Sequence, residues 1–215
     1  MPSAQADACC ATADVRFDGM DPRYKAILWV VIAINAAMFV TEMVAGRIAG
    51  SQALQADALD FLGDTLTYGI SLAVIGAALS VRAWAALAKG VSLFAMGLWV
   101  FGATAYQIFV LGLPSAPIMG TIGVLAFGAN LASVLLLMRY KDGDANVRSV
   151  WLCSRNDAIG NLAVVLAALG VWGAASAWPD LIVAAIMAGL FLASAFSILR
   201  QATAELRGGR MAPAE

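Results

Sequence analysis

The chain has 215 residues, 62% hydrophobic and 13% charged, with 20 glycines, 6 tryptophans and no histidine, whereas soluble domains average ~45–50% apolar and ~25% charged. Mean hydropathy is +0.84, and a soluble fold of this length could not hide that much apolar surface from water, so the chain reads as a multi-pass membrane protein. A net charge of −1 without a basic cluster excludes a nucleic-acid binder, and the lack of histidine excludes serine–histidine catalysis, HExxH zinc chemistry and histidine proton relays.

The amino-terminal 20 residues carry Asp7, Asp14 and Asp18 and lack both a basic start and an apolar run. That is not the make-up of a cleavable targeting segment. Cys9, Cys10 and Cys153 do not make a disulfide framework. The Cys9–Cys10 pair, in the polar tail, either collects metal ions from the cytosol or is a bystander. A spanning helix takes about 20 apolar residues, and such runs predict six helices, over 26–46, 53–80, 83–112, 117–138, 148–176 and 180–203. Turn-forming pieces separate them: Gly50-Ser51, Leu113-Pro114-Ser115, Lys141-Asp142-Gly143-Asp144 and Trp178-Pro179-Asp180. The expected organisation is a polar tail (1–22), a six-helix transport domain (23–204) and a short tail (205–215).

The basic residues orient this arrangement. Arg16, Arg23 and Lys25 precede the first helix, and Arg82 and Lys89 fall at the second connection. Arg139, Lys141, Arg148 and Arg155 surround the fourth, and Arg200, Arg207 and Arg210 follow the sixth helix. With six spans all of these share one side and only Arg47 takes the other. The positive-inside rule then places both termini in the cytoplasm. The fold class is all-α: a polytopic protein of six transmembrane helices, expected in the cell's inner membrane. Gly46 and Gly50 make a small-xxx-small pair that permits close helix packing.

Acids inside the spans carry the chemistry. Glu42, Asp57, Asp60, Asp64, Asp157 and Asp180 lie within or at the edges of the helices. An acid at a helix centre costs about 2.5–3.5 kcal/mol on the insertion scale, so such residues face the bundle interior and are functional by default. Asp60 and Asp64 are i, i+4, about 40° apart on one helix face, and Asp57 extends that stripe outward. Cys153 and Asp157 repeat the spacing on the fifth helix, which runs opposite to the second, so the two pairs can meet. Three carboxylates and one sulfur form a four-ligand cage. Zinc is the central expectation, with cadmium next and manganese or iron after.

Three carboxylates in low dielectric cannot all stay ionised without a counter-ion, so the empty cage holds protons that a divalent ion displaces. Arg155, two residues from both Cys153 and Asp157, points about 200° away and is expected to pair elsewhere or to snorkel. Structural alternatives stand beside these readings. Asp180 can serve the positive start of the sixth helix, and Glu42 can make an interhelical hydrogen bond or line the ion path with Asp57. Cys153 alone can be a small buried apolar residue. Asn130, Asn156 and Asn161 are expected to join polar side chains across helices.

The stretch from Gly50 to Asp64, Gly-Ser-Gln-Ala-Leu-Gln-Ala-Asp-Ala-Leu-Asp-Phe-Leu-Gly-Asp, and that from Asn146 to Asn161 resemble the second and fifth helices of the cation diffusion facilitator family of divalent-metal transporters. Asp60 and Asp64 fall on the family's two ligand positions of the second helix, Asp157 and Cys153 on those of the fifth. Glu42 before Gly46, and Trp178-Pro-Asp180, also agree. The resemblance implies a homodimeric metal/proton exchanger working by alternating access. Two departures mark this chain, cysteine for the customary histidine and a short Lys141–Asn146 loop without histidines, and it is expected to be a short member lacking the family's cytoplasmic carboxy-terminal domain. Any homodimer is therefore expected to form through the membrane helices.

The expected function is export of Zn²⁺ or a similar ion (Cd²⁺, Mn²⁺, Fe²⁺), carried as substrate with no resident cofactor, in exchange for protons. Its partners are the metal ion, protons and the lipid bilayer. The alternatives are a passive divalent-cation channel or uniporter lined by the same acids, and a membrane metal sensor. An enzyme is least favoured, because no nucleophile–base pair or phosphate loop is visible.

Overall fold

The computed structural model describes residues 21–73, 79–110, 112–140 and 145–208. They form six helices: α1 (Pro22–Ala49), α2 (Gln52–Ala73), α3 (Leu79–Val110), α4 (Ala116–Leu137), α5 (Ala145–Ala174) and α6 (Trp178–Gly208), with a 3₁₀ turn, Met138–Tyr140, closing α4. No strand occurs among the described residues. Cys9 and Cys10 lie outside them, as do Lys141 to Asp144.

Five helices contain stretches long and apolar enough to cross a membrane: Pro22–Ala49, Trp84–Val110, Ala116–Tyr140, Asp157–Ala174 and Trp178–Ala204. The sixth, α2, has 22 residues, about 33 Å of helix at 1.5 Å per residue, which also matches a hydrocarbon core of about 30 Å. Its three aspartates are what lower its hydropathy. Large side chains such as Trp99, Phe109, Trp172 and Phe196 stand exposed on the outside of the bundle, the inverse of a water-soluble surface. The chain is a polytopic all-α membrane protein.

The predicted second span, 53–80, overlaps α3, which already begins at Leu79. The run from Leu72 to Leu79 is apolar throughout, so hydropathy carries no mark of a boundary there. Lys89 accordingly lies well inside α3, not at a connection. The other helices begin a few residues before their predicted starts; α1 and α6 also run past their predicted ends, α6 as far as Gly208, whereas α3, α4 and α5 stop at Val110, Leu137 and Ala174, just short of theirs.

Helices α1 and α2 pack closely along their length, as do α4 with α5 and α3 with α6, while α2 and α5 touch across the middle. Gly97 makes the α3–α6 approach possible, since a Cβ there would meet Leu192 at 2.9 Å. Where α1 ends, Gly50 takes φ +67°, a left-handed value that glycine adopts without steric cost. The Ser51 amide then reaches back to the Gly46 carbonyl at 2.9 Å and the Gly50 amide to Arg47 at 3.3 Å, which closes α1 in a Schellman turn. Gly46 itself lies against Leu54 and Gln55 of α2. Gly46 thus serves helix packing within the chain, and Gly50 serves the turn.

The turn is tied to α6 by one side chain. Asp180, fully buried, accepts from the Ser51 hydroxyl at 2.6 Å and from the backbone amides of Gln52 at 2.8 Å and Ala53 at 3.1 Å. Those amides belong to the unpaired donors at the start of α2. Ser51 adds its own cap, its hydroxyl accepting from the Leu54 amide at 3.0 Å. The sequence assigns Asp180 to the start of its own helix, but the donors it meets belong to the start of α2. Ser115, at the start of α4, joins the same end of the bundle by donating its amide to the Ala49 carbonyl at 2.8 Å.

Asp180→Ala should cost on the order of 3 kcal/mol by stranding three buried donors. Thermal unfolding in detergent would register it as a lowered midpoint. The Ser51→Ala, Asp180→Ala pair should lose clearly less than the sum of the single changes.

Candidate metal site

Asp60 and Asp64 on α2 and Asp157 on α5 line one cavity of about 580 Å³ bounded by α2, α3, α5 and α6. Their spacing explains the meeting: the i, i+4 pair keeps both α2 acids on one face, and the antiparallel α5 brings Asp157 alongside. The Asp157 side chain is in hydrogen-bonding contact with both Asp60 and Asp64. Carboxyl oxygens at that range need a proton or a cation between them, because bare carboxylates repel. Even so, no three acids or cysteines among the described residues are drawn into a finished ligand shell. The acids edge a cavity that a cation would have to draw together.

The cavity extends away from the Asp180 end. Its other walls come from α3 and α6, with Lys89, Met96, Phe191 and Ser194 among them, and its three acids are half-buried. Lys89 is the basic side chain of this lining, and its ammonium donates to the Ser71 hydroxyl at 2.9 Å. Sequence reading counts Lys89 only as a topology marker. A tally of charges cannot show that a lysine nearly three turns into a helix reaches the cavity of the acids.

Cys153 stands one helical turn before Asp157 on α5, in the register predicted for a ligand, but its side chain lies outside the described residues, as does that of Asn156. Arg155 is exposed and contributes nothing to the cavity wall, in keeping with its expected direction. The remaining predicted acids lie deeper. Glu42 of α1 and Asp57 of α2 are buried, and their carboxyl groups interact directly across the α1–α2 contact. Asp57 is absent from the cavity wall. The interhelical bonds expected of the asparagines do not form as predicted: neither amide atom of Asn161 has a hydrogen-bond partner, nor does Oδ1 of Asn130.

Tyr68 is the residue sequence reading missed. Its hydroxyl donates to Asp64 Oδ2 at 2.6 Å and lies 3.3 Å from the Ser154 hydroxyl of α5. Its ring is fully buried in a plug of Tyr24, Leu28, Val31, Leu137 and Tyr140, where Tyr24 and Tyr140 meet edge to face at 5.1 Å between centroids. One signal was present: Tyr68 follows Asp64 by four residues, the spacing at which helical side chains touch.

A membrane-embedded helical bundle with carboxylates converging on an internal cavity defines the class of an ion-handling membrane protein. The cation efflux transmembrane domain matches residues 80–207, more than half of the chain. The chain belongs to the cation efflux, or cation diffusion facilitator, family. It is similar to the metal cation efflux system protein CzcD of Cupriavidus metallidurans and to the cation efflux system protein CzcD of an Alcaligenes species. Each is 26% identical over 182 residues, covering 77% of this chain and 56% of the relative. The chain thus spans little more than half the length of these curated relatives. The family match begins beyond α2, so the roles of Asp60 and Asp64 rest on their geometry.

Tyr68→Phe removes one hydroxyl and leaves the ring in its plug. Loss of a hydrogen bond that orients a metal ligand typically costs 10–100-fold in affinity. Equilibrium metal binding to the purified variant should weaken by at least about tenfold, with its thermal unfolding little changed.

Proposed function

We propose that the chain exports a divalent transition-metal ion, zinc first and cadmium next, in exchange for protons. The observation that carries the reading is the convergence of Asp60, Asp64 and Asp157 on one cavity. Cys153, one turn from Asp157, supplies the fourth ligand in this reading, and its sulfur tilts preference toward soft ions. Metal binding to protonated ligands releases their protons, so one set of carboxyls serves both ions in turn. That competition is the minimum chemistry of an exchanger.

The printed names of the relatives, metal cation efflux and cation efflux system proteins, agree with outward metal movement. Basic residues at the ends of the helices opposite the Asp180 clamp put that side in the cytoplasm by the positive-inside rule, and the cavity extends toward it. Asp180 and its donors close the other end. Access then switches by rocking of the α3–α6 pair against the remaining helices around the fixed acids. In this reading the protein sits in the inner membrane as a pair of like chains joined through membrane helices.

The test is zinc flux into liposomes carrying the full chain and an internal zinc indicator, with and without an imposed pH gradient. Flux should follow the gradient, and Asp60→Ala or Asp157→Ala should lower it at least a hundredfold in folded protein. Flux indifferent to the gradient would mean a passive pathway. Cys153→Ser should lower cadmium transport relative to manganese, because it replaces a soft ligand with a hard one.

A further inference from the structure

Two buried acids outside the cavity, Glu42 and Asp57, have one another as their side-chain hydrogen-bonding contact. Glu42 is 0% exposed, and neither of its oxygens makes a hydrogen bond of good geometry. Asp57, 2% exposed, faces it across the α1–α2 contact with Oδ2 likewise unpartnered. The charged groups acting on Glu42 are Asp57 and Asp60, both acids. Asp180 shows what a structural buried acid in this protein looks like: it meets three donors. The Glu42–Asp57 pair meets none of comparable quality.

An independent observation comes from α5. Asn161 is 0% exposed, and both atoms of its carboxamide are without partners. It follows Asp157 by four residues and so occupies the same helix face one turn further on. On antiparallel α2, Asp57 precedes Asp60 by three residues, which is one turn in the same direction. Both steps lead from the cavity toward the Asp180 end by about 5 Å. Asn161 therefore stands level with Asp57, and Glu42 faces Asp57 from α1. Burial without partners costs about 1–3 kcal/mol per polar group and more for a charge. A ligand that satisfies all three removes that cost.

We propose that Glu42, Asp57 and Asn161 form a second, all-oxygen cation position, one helical turn beyond the Asp60–Asp64–Asp157 cavity on its closed side, which takes the transported divalent ion in passing. The inference rests on the reading of the chain as a metal carrier. Two carboxylates and a carboxamide oxygen suit hard divalent ions. They would hold an ion that has left the cavity less tightly than a site with a thiolate does, as a step toward release requires. Two divalent ions one turn apart would repel strongly, so the positions fill in turn.

The probe is Mn²⁺, followed by electron paramagnetic resonance on the full chain purified in detergent. In an Asp60→Asn, Asp157→Asn background, where the cavity site is disabled, Mn²⁺ should still bind, and adding Glu42→Gln or Asp57→Asn should weaken that binding more than tenfold. If wild type binds Mn²⁺ and the background variant binds none, or if Glu42→Gln leaves its binding unchanged, the second position is refuted and the cavity site stands. Wild type that binds no metal and moves none would refute the carrier reading itself. Should the background variant not remain monodisperse, single substitutions decide. Glu42→Gln should lower metal flux more than tenfold with Mn²⁺ affinity at the cavity preserved, and Glu42→Asp should restore part of the flux. Wild-type flux in Glu42→Gln would overturn the inference.

Discussion

One carboxylate sets the frame. Asp180 gathers Ser51, Gln52 and Ala53 and so fixes the start of α2 against the first turn of α6, across 127 to 129 positions of sequence. In a low-dielectric interior such charge-assisted bonds are strong and their loss is expensive. The start of α2 sets the depth of every later residue on it. Asp57, Asp60 and Asp64 take their levels from that anchor, and so does the meeting of Asp60 and Asp64 with Asp157.

The same anchor makes the two ends of the bundle different. Around Asp180, the Schellman turn at Gly50 and the Ser115–Ala49 bond satisfy the polar backbone groups and close the structure. At the opposite end the chain spends its apolar residues on a separate plug around Tyr68 and Tyr24, and the cavity runs past it between α2, α3, α5 and α6. Tyr68 belongs to both regions, since its ring packs in the plug and its hydroxyl holds Asp64. An ion that takes Asp64 must therefore compete with a hydrogen bond anchored in that plug.

Buried acids in this protein sort by how their oxygens are satisfied. Asp180 is saturated by donors and is structural. Asp60, Asp64 and Asp157 contact one another at a cavity, the site of the proposed exchange of a cation for protons. Glu42 and Asp57 are sealed in and face each other. Position along the helices does not separate these cases, because all six acids look alike in a hydropathy profile. What separates them is which neighbours the packing supplies, and those come from helices remote in sequence.

Much was legible before any coordinates. Composition alone requires a membrane bundle, because 62% hydrophobic residues cannot be buried in a fold of this size. The number of helices and the facing of Asp60, Asp64 and Asp157 follow from apolar runs and i, i+4 spacing, since helical periodicity is local. Three things were not legible. The start of α3 at Leu79 is hidden in a continuous apolar run, Lys89 reads only as a marker of topology yet reaches the cavity, and the donors that Asp180 meets belong to the start of α2. Asn161 lacks its expected partner for the same reason, since a partner on another helix depends on rotation and depth. The sequence by itself determined membrane residence, six helices and an acidic face, because burial of apolar surface and helical geometry act within short windows. Only the tertiary structure decided which acids are satisfied, which share a cavity and which stand sealed together, because those outcomes depend on contacts between different helices, from Glu42 with Asp57 on neighbouring helices to Ser51 with Asp180, 129 positions apart.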